Sequence, residues 1–273
     1  IMLPDGKPFQ DHPCYQKPER EGYLNKILLA LETSSPYSMS LDEDIFFNEY
    51  VWDYIIENIN LLDDNENLTL SPTLSSGVPS ADYFINDYFT EEDKKPLYKA
   101  FCSTNFGPQW NGDYSFLNKY TTEASEWNFE NFLEAANNYN FYYKGIHPLR
   151  TNFNAAKILN DLIIKNPSKF LNSQNFKLIP LKNRYLCNSC FAIKTETWCK
   201  LILDPSLYVD PFDEVPLNKY AAKYDKTHLF IQGACGIHTY YNTVAKCGQC
   251  GHDHDLDFFK QLVSAMKVFS NSP

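Results

Sequence analysis

Three successive carboxylates, Asp42-Glu43-Asp44, follow the alternating stretch Tyr37-Ser38-Met39-Ser40-Leu41. Carboxylates spaced as Asp-x-Asp can share a hard divalent cation, Mn²⁺ or Mg²⁺, which neutralises a diphosphate as it enters a site and again as it leaves. Acidic residues at a turn or helix start also serve simply as caps, so the triplet alone does not decide between the two roles. A second acidic pair, Asp213 and Glu214, stands in Phe212-Asp213-Glu214-Val215-Pro216-Leu217-Asn218, where a helix should begin. A carboxylate there could take a proton from an acceptor hydroxyl. Equally, negative side chains stabilise a helix N-terminus by about 0.3–1 kcal/mol each, and both readings stay open. His238 closes an apolar run and offers an imidazole to a metal of intermediate softness such as Mn²⁺. The alternative for it is a hydrogen-bonded core histidine.

The cysteines carry a competing signal. Cys187-Asn188-Ser189-Cys190 and Cys247-Gly248-Gln249-Cys250 are two C-x-x-C pairs, with His252 and His254 beside the second. Such pairs are the usual ligand source for structural Zn²⁺, and Gly248 and Gly251 suit the tight turns of a zinc knuckle. The first pair falls in an apparent core strand, which is poor knuckle geometry, so separate thiols or a disulfide stand beside zinc. His252-Asp253-His254-Asp255 reads as a turn whose Asp253 or Asp255 caps a helix over 256–269. Trp110, on the glycine-flanked loop Gly107-Pro108-Gln109-Trp110-Asn111-Gly112, could stack on a sugar face. Tyr114, Trp127 and Trp198 could do the same, although such rings commonly fill cores.

Elements must place these groups together. Leu24, Ile27, Leu28 and Leu31 recur at helical spacing over 21–33, and Ser34-Ser35-Pro36 stops that helix before the strand at 37–41. Asn48 is the expected N-cap of a helix carrying Val51, Trp52, Tyr54, Ile55, Ile56 and Ile59. A short strand at 68–70, a loop over 71–80 and a helix over 81–89 follow. The turn-rich stretch 105–140 reads as an insertion or lid. Further helices are predicted over 154–166, 195–203 and 213–224, and strands over 185–194 and 229–238. The acidic triplet thus sits at a strand's C-terminal end, where open α/β sheets bind ligands.

Composition narrows the function. With 44% apolar residues, a chain of 273 residues can bury a sizeable core. The formal charge of −10 and the lack of any basic run disfavour nucleic acid as a partner. No stretch has the roughly 20 apolar residues that would span a bilayer, and Ile1-Met2-Leu3 opens neither a signal peptide nor an anchor. Eight cysteines are too dilute for a disulfide scaffold, so a cytoplasmic location is expected, with the secretory-pathway lumen as the alternative.

Taken in order, Ser40-Leu41-Asp42-Glu43-Asp44-Ile45-Phe46, then Asn188-Ser189 with Phe191-Ala192-Ile193-Lys194, then Phe212-Asp213-Glu214, then Gly236-Ile237-His238-Thr239, resemble the ordered motif set of the GT-A glycosyltransferases over roughly residues 20–245. The resemblance implies an α/β fold with a mixed central sheet flanked by helices and Rossmann-like binding of a nucleotide sugar. It places the metal on Asp42, Asp44 and His238, and the donor, a UDP- or GDP-sugar, at Asp42, Glu43 and Asp44. The base becomes Asp213, with Glu214 in reserve, acting on a hydroxyl of a carbohydrate or glycoconjugate acceptor with inversion at the anomeric carbon. One feature departs from the family, which sets about a hundred residues of βαβ structure before its Asp-x-Asp. Here the triplet begins at position 42, so the N-terminal part is short or incomplete by that standard. Residues 1–245 are expected to form one catalytic domain and 246–273 a C-terminal helical extension. Two other classes compete: a noncatalytic binding module stabilised by zinc, and a metal-dependent hydrolase using the same carboxylates.

Overall fold

Strand β1 (Tyr37–Leu41) forms where the alternation predicts and pairs antiparallel with β7 (Cys190–Lys194), Leu41 facing Cys190. A few residues on, β2 (Ile45–Phe47) pairs instead with the far end of β8 (Thr227–His238), Ile45 facing His238. Between β7 and β8 lies β3 (Asn67–Leu74), antiparallel to the first and parallel to the second. The path β1-β7-β3-β8-β2 therefore begins and ends on neighbouring stretches of one chain segment. A sheet whose two edges are joined so closely must curl, and these five strands make a nearly closed, barrel-shaped mixed sheet. The computed structural model describes residues 34–42, 45–109, 112–131, 147–171, 173–182, 184–186, 189–204, 214–238 and 260–265, together with 32, 134, 206, 207 and 267.

This overturns the expectation of an open, Rossmann-like GT-A sheet. Among the described ladders of the large sheet, β3–β8 alone is parallel, and the others are antiparallel. A nucleotide-binding half built from successive parallel βαβ units would need more. The physical reason is that apolar alternation marks which residues can be strands, not which edge they join. The break between Leu41 and Ile45 hands the chain from one edge of the sheet to the other.

The twelve residues of β8 also divide their outer side. β6 (Lys177–Lys182) covers Thr227 to Gln232 and β2 covers Gly236 to His238. Between the two, Gly233 has φ +82°, and a Cβ there would stand 2.1 Å from the Asn175 carbonyl oxygen. Glycine is the residue that lets the strand bend at this point. The register against β3 jumps at the same place, with Pro72 facing Ile231 and Thr73 facing Cys235.

Helices cover the sheet on several sides. In α1 (Glu49–Asn58) the Asn48 side chain accepts the Val51 N–H at 3.0 Å, as the N-cap reading requires, and Val51 and Ile55, one turn apart, are buried against Leu70, Ala192 and Ile231. The largest core joins α2 (Ser80–Tyr88), α3 (Glu91–Cys102), the short α4 (Pro148–Thr151), α5 (Phe153–Lys165) and Phe170 of α6 (Ser168–Leu171) to Cys235 and Ile237 of β8. Phe106, Tyr114, Leu117, Tyr120 and Trp127, from the stretch expected to be an insertion or lid, are buried in that same core, and within that stretch β4 (Pro108–Gln109) pairs antiparallel with β5 (Gly112–Asp113). On another part of the sheet, α7 (Thr195–Leu203) and α8 (Glu214–Lys223) pack Trp198, Leu201, Leu217 and Ala221 on Leu68, Phe191 and Ile193.

The sequence reading does not contain β2, β6 or α3, and two strand limits differ from it: β3 runs to Leu74 through residues expected as a loop, and β7 starts at Cys190, five residues after the predicted position 185. The predicted helix over 21–33 falls mostly outside the described residues, and of the one predicted over 256–269 the described part, 260–265 and 267, is helical. Among the described residues, no helix is long and apolar enough to cross a membrane.

Candidate functional site

The seam of the barrel is also where the acidic triplet lies. Asp42 extends the β1–β7 pairing by one bond, its N–H donating to the Ser189 carbonyl at 3.1 Å, and its side chain is half exposed. His238 ends β8 directly opposite Ile45, and its ring is buried. The two strands leave Asp42 Oδ2 and His238 Nε2 3.9 Å apart. That is too long for a hydrogen bond. Two donors each about 2.1 Å from one small cation lie about 3 to 4 Å apart, so the chemistry and spacing of this pair suit shared ligation.

The other ring nitrogen of His238 is engaged by β3's continuation. Ser76 Oγ is 2.6 Å from Nδ1, so Nε2 is the nitrogen turned toward Asp42. Ser75 Oγ accepts the His238 N–H at 3.0 Å and donates to the His238 carbonyl at 3.3 Å. Sequence reasoning passed over both serines because it ended the strand at Leu70. The signal that could have found them is the polar Ser75-Ser76-Gly77 run directly after an apolar strand.

Glu214 opens α8, as expected for the first residue of a helix start. The buried Asn218, one turn later, accepts the Leu186 N–H and donates to the carbonyls of Leu186 and Glu214, at 2.8, 2.8 and 2.6 Å. Leu186 lies three residues before Ser189, the partner of Asp42. The role of Asn218 is not legible in the sequence, because nothing in its neighbours announces a bidentate clamp on a distant backbone.

Cys190 is buried in β7, and burial, then the Asp42 charge, push its thiol well above the ordinary range. A thiolate is disfavoured there, which a metal would have to offset. Glu43, Asp44, Asp213, Trp110, Cys187, Cys247 and Cys250 lie outside the described residues. Among the described residues, no group of three or more His, Cys, Asp or Glu side chains converges as a full ligand set. Asp42 and His238 are brought together, while Tyr114, Trp127 and Trp198 are core residues. Compared with known proteins, the chain matches no family model, no curated protein and no solved structure.

Proposed function

We propose that the chain is a metal-dependent glycosyltransferase that moves a sugar from a nucleotide-sugar donor to an acceptor hydroxyl. The observation that carries the reading is the approach of Asp42 and His238, which the sequence had nominated as metal ligands and which reach the seam on separate strands, 3.9 Å apart. No support comes from the topology, which is not that of a GT-A domain. Asp42 and His238, with Asp44, would hold Mn²⁺ or Mg²⁺. A divalent cation bound there supplies neutralisation of the diphosphate charge that grows as the sugar departs.

The chain's own residues do the rest. Asp42 offers a half-exposed carboxylate at the mouth of the seam, and the buried ring of His238 fixes the site's depth. Asp213, with Glu214 of α8 in reserve, takes the proton of the acceptor hydroxyl. The acceptor oxygen bonds to the anomeric carbon, the carbon–oxygen bond to the diphosphate breaks, and the anomeric centre inverts.

Thermal unfolding of the full chain with a panel of nucleotide sugars, with and without Mn²⁺, tests this. A cognate donor at a hundredfold excess over its Kd should raise Tm by about 5 to 10 °C, and only when Mn²⁺ is present. Asp42→Ala should remove the Mn²⁺-dependent rise. Failure of every nucleotide sugar to stabilise the chain with Mn²⁺ would sink the proposal, and release of sugar to water with no acceptor preference would replace it with a hydrolase.

A further inference from the structure

From Ile27 to Asp93 the chain has no Lys, Arg or His, while Glu49, Asp53 and Glu57 recur at four-residue spacing along α1. All three are exposed, and none has an ion-pair partner among the described residues. Like charges four positions apart on a helix repel one another, and Glu57 also stands in the last turn, where the helix dipole opposes a negative charge. Three other helices treat their exposed acids differently: Glu91 of α3 meets Lys94, Asp161 of α5 meets Lys157 and Glu196 of α7 meets Lys200. Even Asp63, shortly after α1, reaches Lys194 at 3.1 Å. The acids of α1 therefore weaken their own helix in the isolated chain.

An apolar strip lies beside them on the same outward side of the helix. Ile56 is 65% exposed, more than any other large hydrophobic side chain described, and Trp52, one turn before it, is half-buried with its ring 5.3 Å from that of Phe47. At 3.6 residues per turn, Trp52 and Ile56 run parallel to the line of acids, opposite the side that buries Val51 and Ile55. We infer that this outer face of α1 is a docking surface for a basic amphipathic polypeptide helix, whose lysines or arginines neutralise Glu49, Asp53 and Glu57 while an apolar side chain covers Ile56. A helix laid along α1 repeats its side chains at the same spacing, so consecutive turns of the partner meet consecutive acids. Charge selects this class of partner, because the same three carboxylates repel the phosphates of nucleic acid or of an anionic membrane.

Fluorescence anisotropy of a labelled synthetic peptide, about 18 residues long with Leu at helical spacing and Lys elsewhere, titrated with the full chain, tests this. The lysine peptide should bind, and more weakly as salt is raised, while a peptide with Glu in place of every Lys should not bind. Ile56→Ser changes an exposed position and leaves the charge unaltered, so the chain should fold as before and bind the lysine peptide about tenfold more weakly. Reversing the three acids together, Glu49→Lys with Asp53→Lys and Glu57→Lys, should abolish binding. Glu92→Lys with Glu123→Lys and Glu126→Lys makes the same change in net charge at exposed positions elsewhere, and it should stay within about threefold of the native chain. No binding of the lysine peptide, equal losses from the two triple variants, or an unchanged affinity for Ile56→Ser each overturns the inference. So does sedimentation showing that the native chain self-associates and that Ile56→Ser makes it a monomer, since the face would then belong to a second copy.

Discussion

Asp82 stands in the first turn of α2 with no exposed surface, and its Oδ2 is 2.6 Å from His147 Nε2. The His147 Nδ1 accepts the Leu149 N–H at 3.0 Å, so the ring proton belongs on Nε2 and is donated to the carboxylate. Burial, the largest influence, raises the Asp82 pKa above the ordinary carboxylate range, while His147 and then Trp127 pull it back. Desolvation therefore outweighs the pairing. Removing the charge should be cheaper than removing its partner. His147→Leu, which leaves a carboxylate buried without its donor, is expected to cost about 3–5 kcal/mol, and Asp82→Asn only about 0.5–1.5 kcal/mol. Urea unfolding of both variants at pH 7 measures this, and the reverse order would mean that the acid is already protonated in the native state. Neither residue was marked by the sequence, since they lie 65 positions apart and each is unremarkable among its neighbours. Asp42 and His238 were legible because their types suit a cation, yet their proximity depends on two strand pairings that no local pattern encodes.

Elements were legible where the cause is local. Asn48 caps α1 as read, and the helices beginning at Thr195 and Glu214 fall within a residue of expectation, because caps and helical spacing are written in adjacent residues. β3 was cut short at Leu70 because Pro72 and the serines around it look like a loop. The strand tolerates Pro72 where its pairing with β7 has already ended, and Thr73 Oγ1 donates to the Ile231 carbonyl at 2.8 Å on the other side. The bend in β8 has a similar hidden cause in Gly233. Gly233→Ala adds a Cβ at positive φ against the Asn175 carbonyl oxygen, a backbone atom that cannot swing away. A loss of roughly 2–4 kcal/mol is expected from the combined strain and overlap. Gly236→Ala meets Phe47 and Leu74 side-chain atoms instead, which can shift, so its cost should be smaller. Thermal unfolding of the two variants compares them, and an unchanged Tm for Gly233→Ala would show that the bulge does not need glycine.

At the scale of the whole molecule the missing information was closure. Which edge a strand joins is settled by contacts far apart in sequence, so an alternating series of helices and strands is equally compatible with an open sheet and with this curled one. Curling also buries groups that an open sheet would leave nearer water. His228, near the start of β8, has Nδ1 2.8 Å from Thr69 Oγ1, while its Nε2 has no hydrogen-bond partner among the described residues. Burial lowers its pKa from 6.5 to about 4. Between those values the unfolded chain takes up a proton that the folded chain refuses. Stability from this group is complete above pH 6.5 and falls as pH drops toward 4, by about 1.4 kcal/mol per unit and about 3 kcal/mol in all. Asp82 acts in the opposite sense: with its folded pKa raised, its contribution is present below the unfolded value of 3.8 and is lost as pH rises through the raised one. Acidification therefore weakens the fold at His228 while strengthening it at Asp82, and the native pH profile alone mixes the two. His228→Asn separates them, because Asp82 is unchanged in the variant and cancels in the difference, and the asparagine still offers Thr69 an acceptor. The unfolding free energy of the native chain minus that of His228→Asn should fall by about 3 kcal/mol between pH 7 and pH 4. Denaturant titrations of both chains across that range measure it, and parallel profiles would mean that His228 accepts its proton without unfolding the barrel.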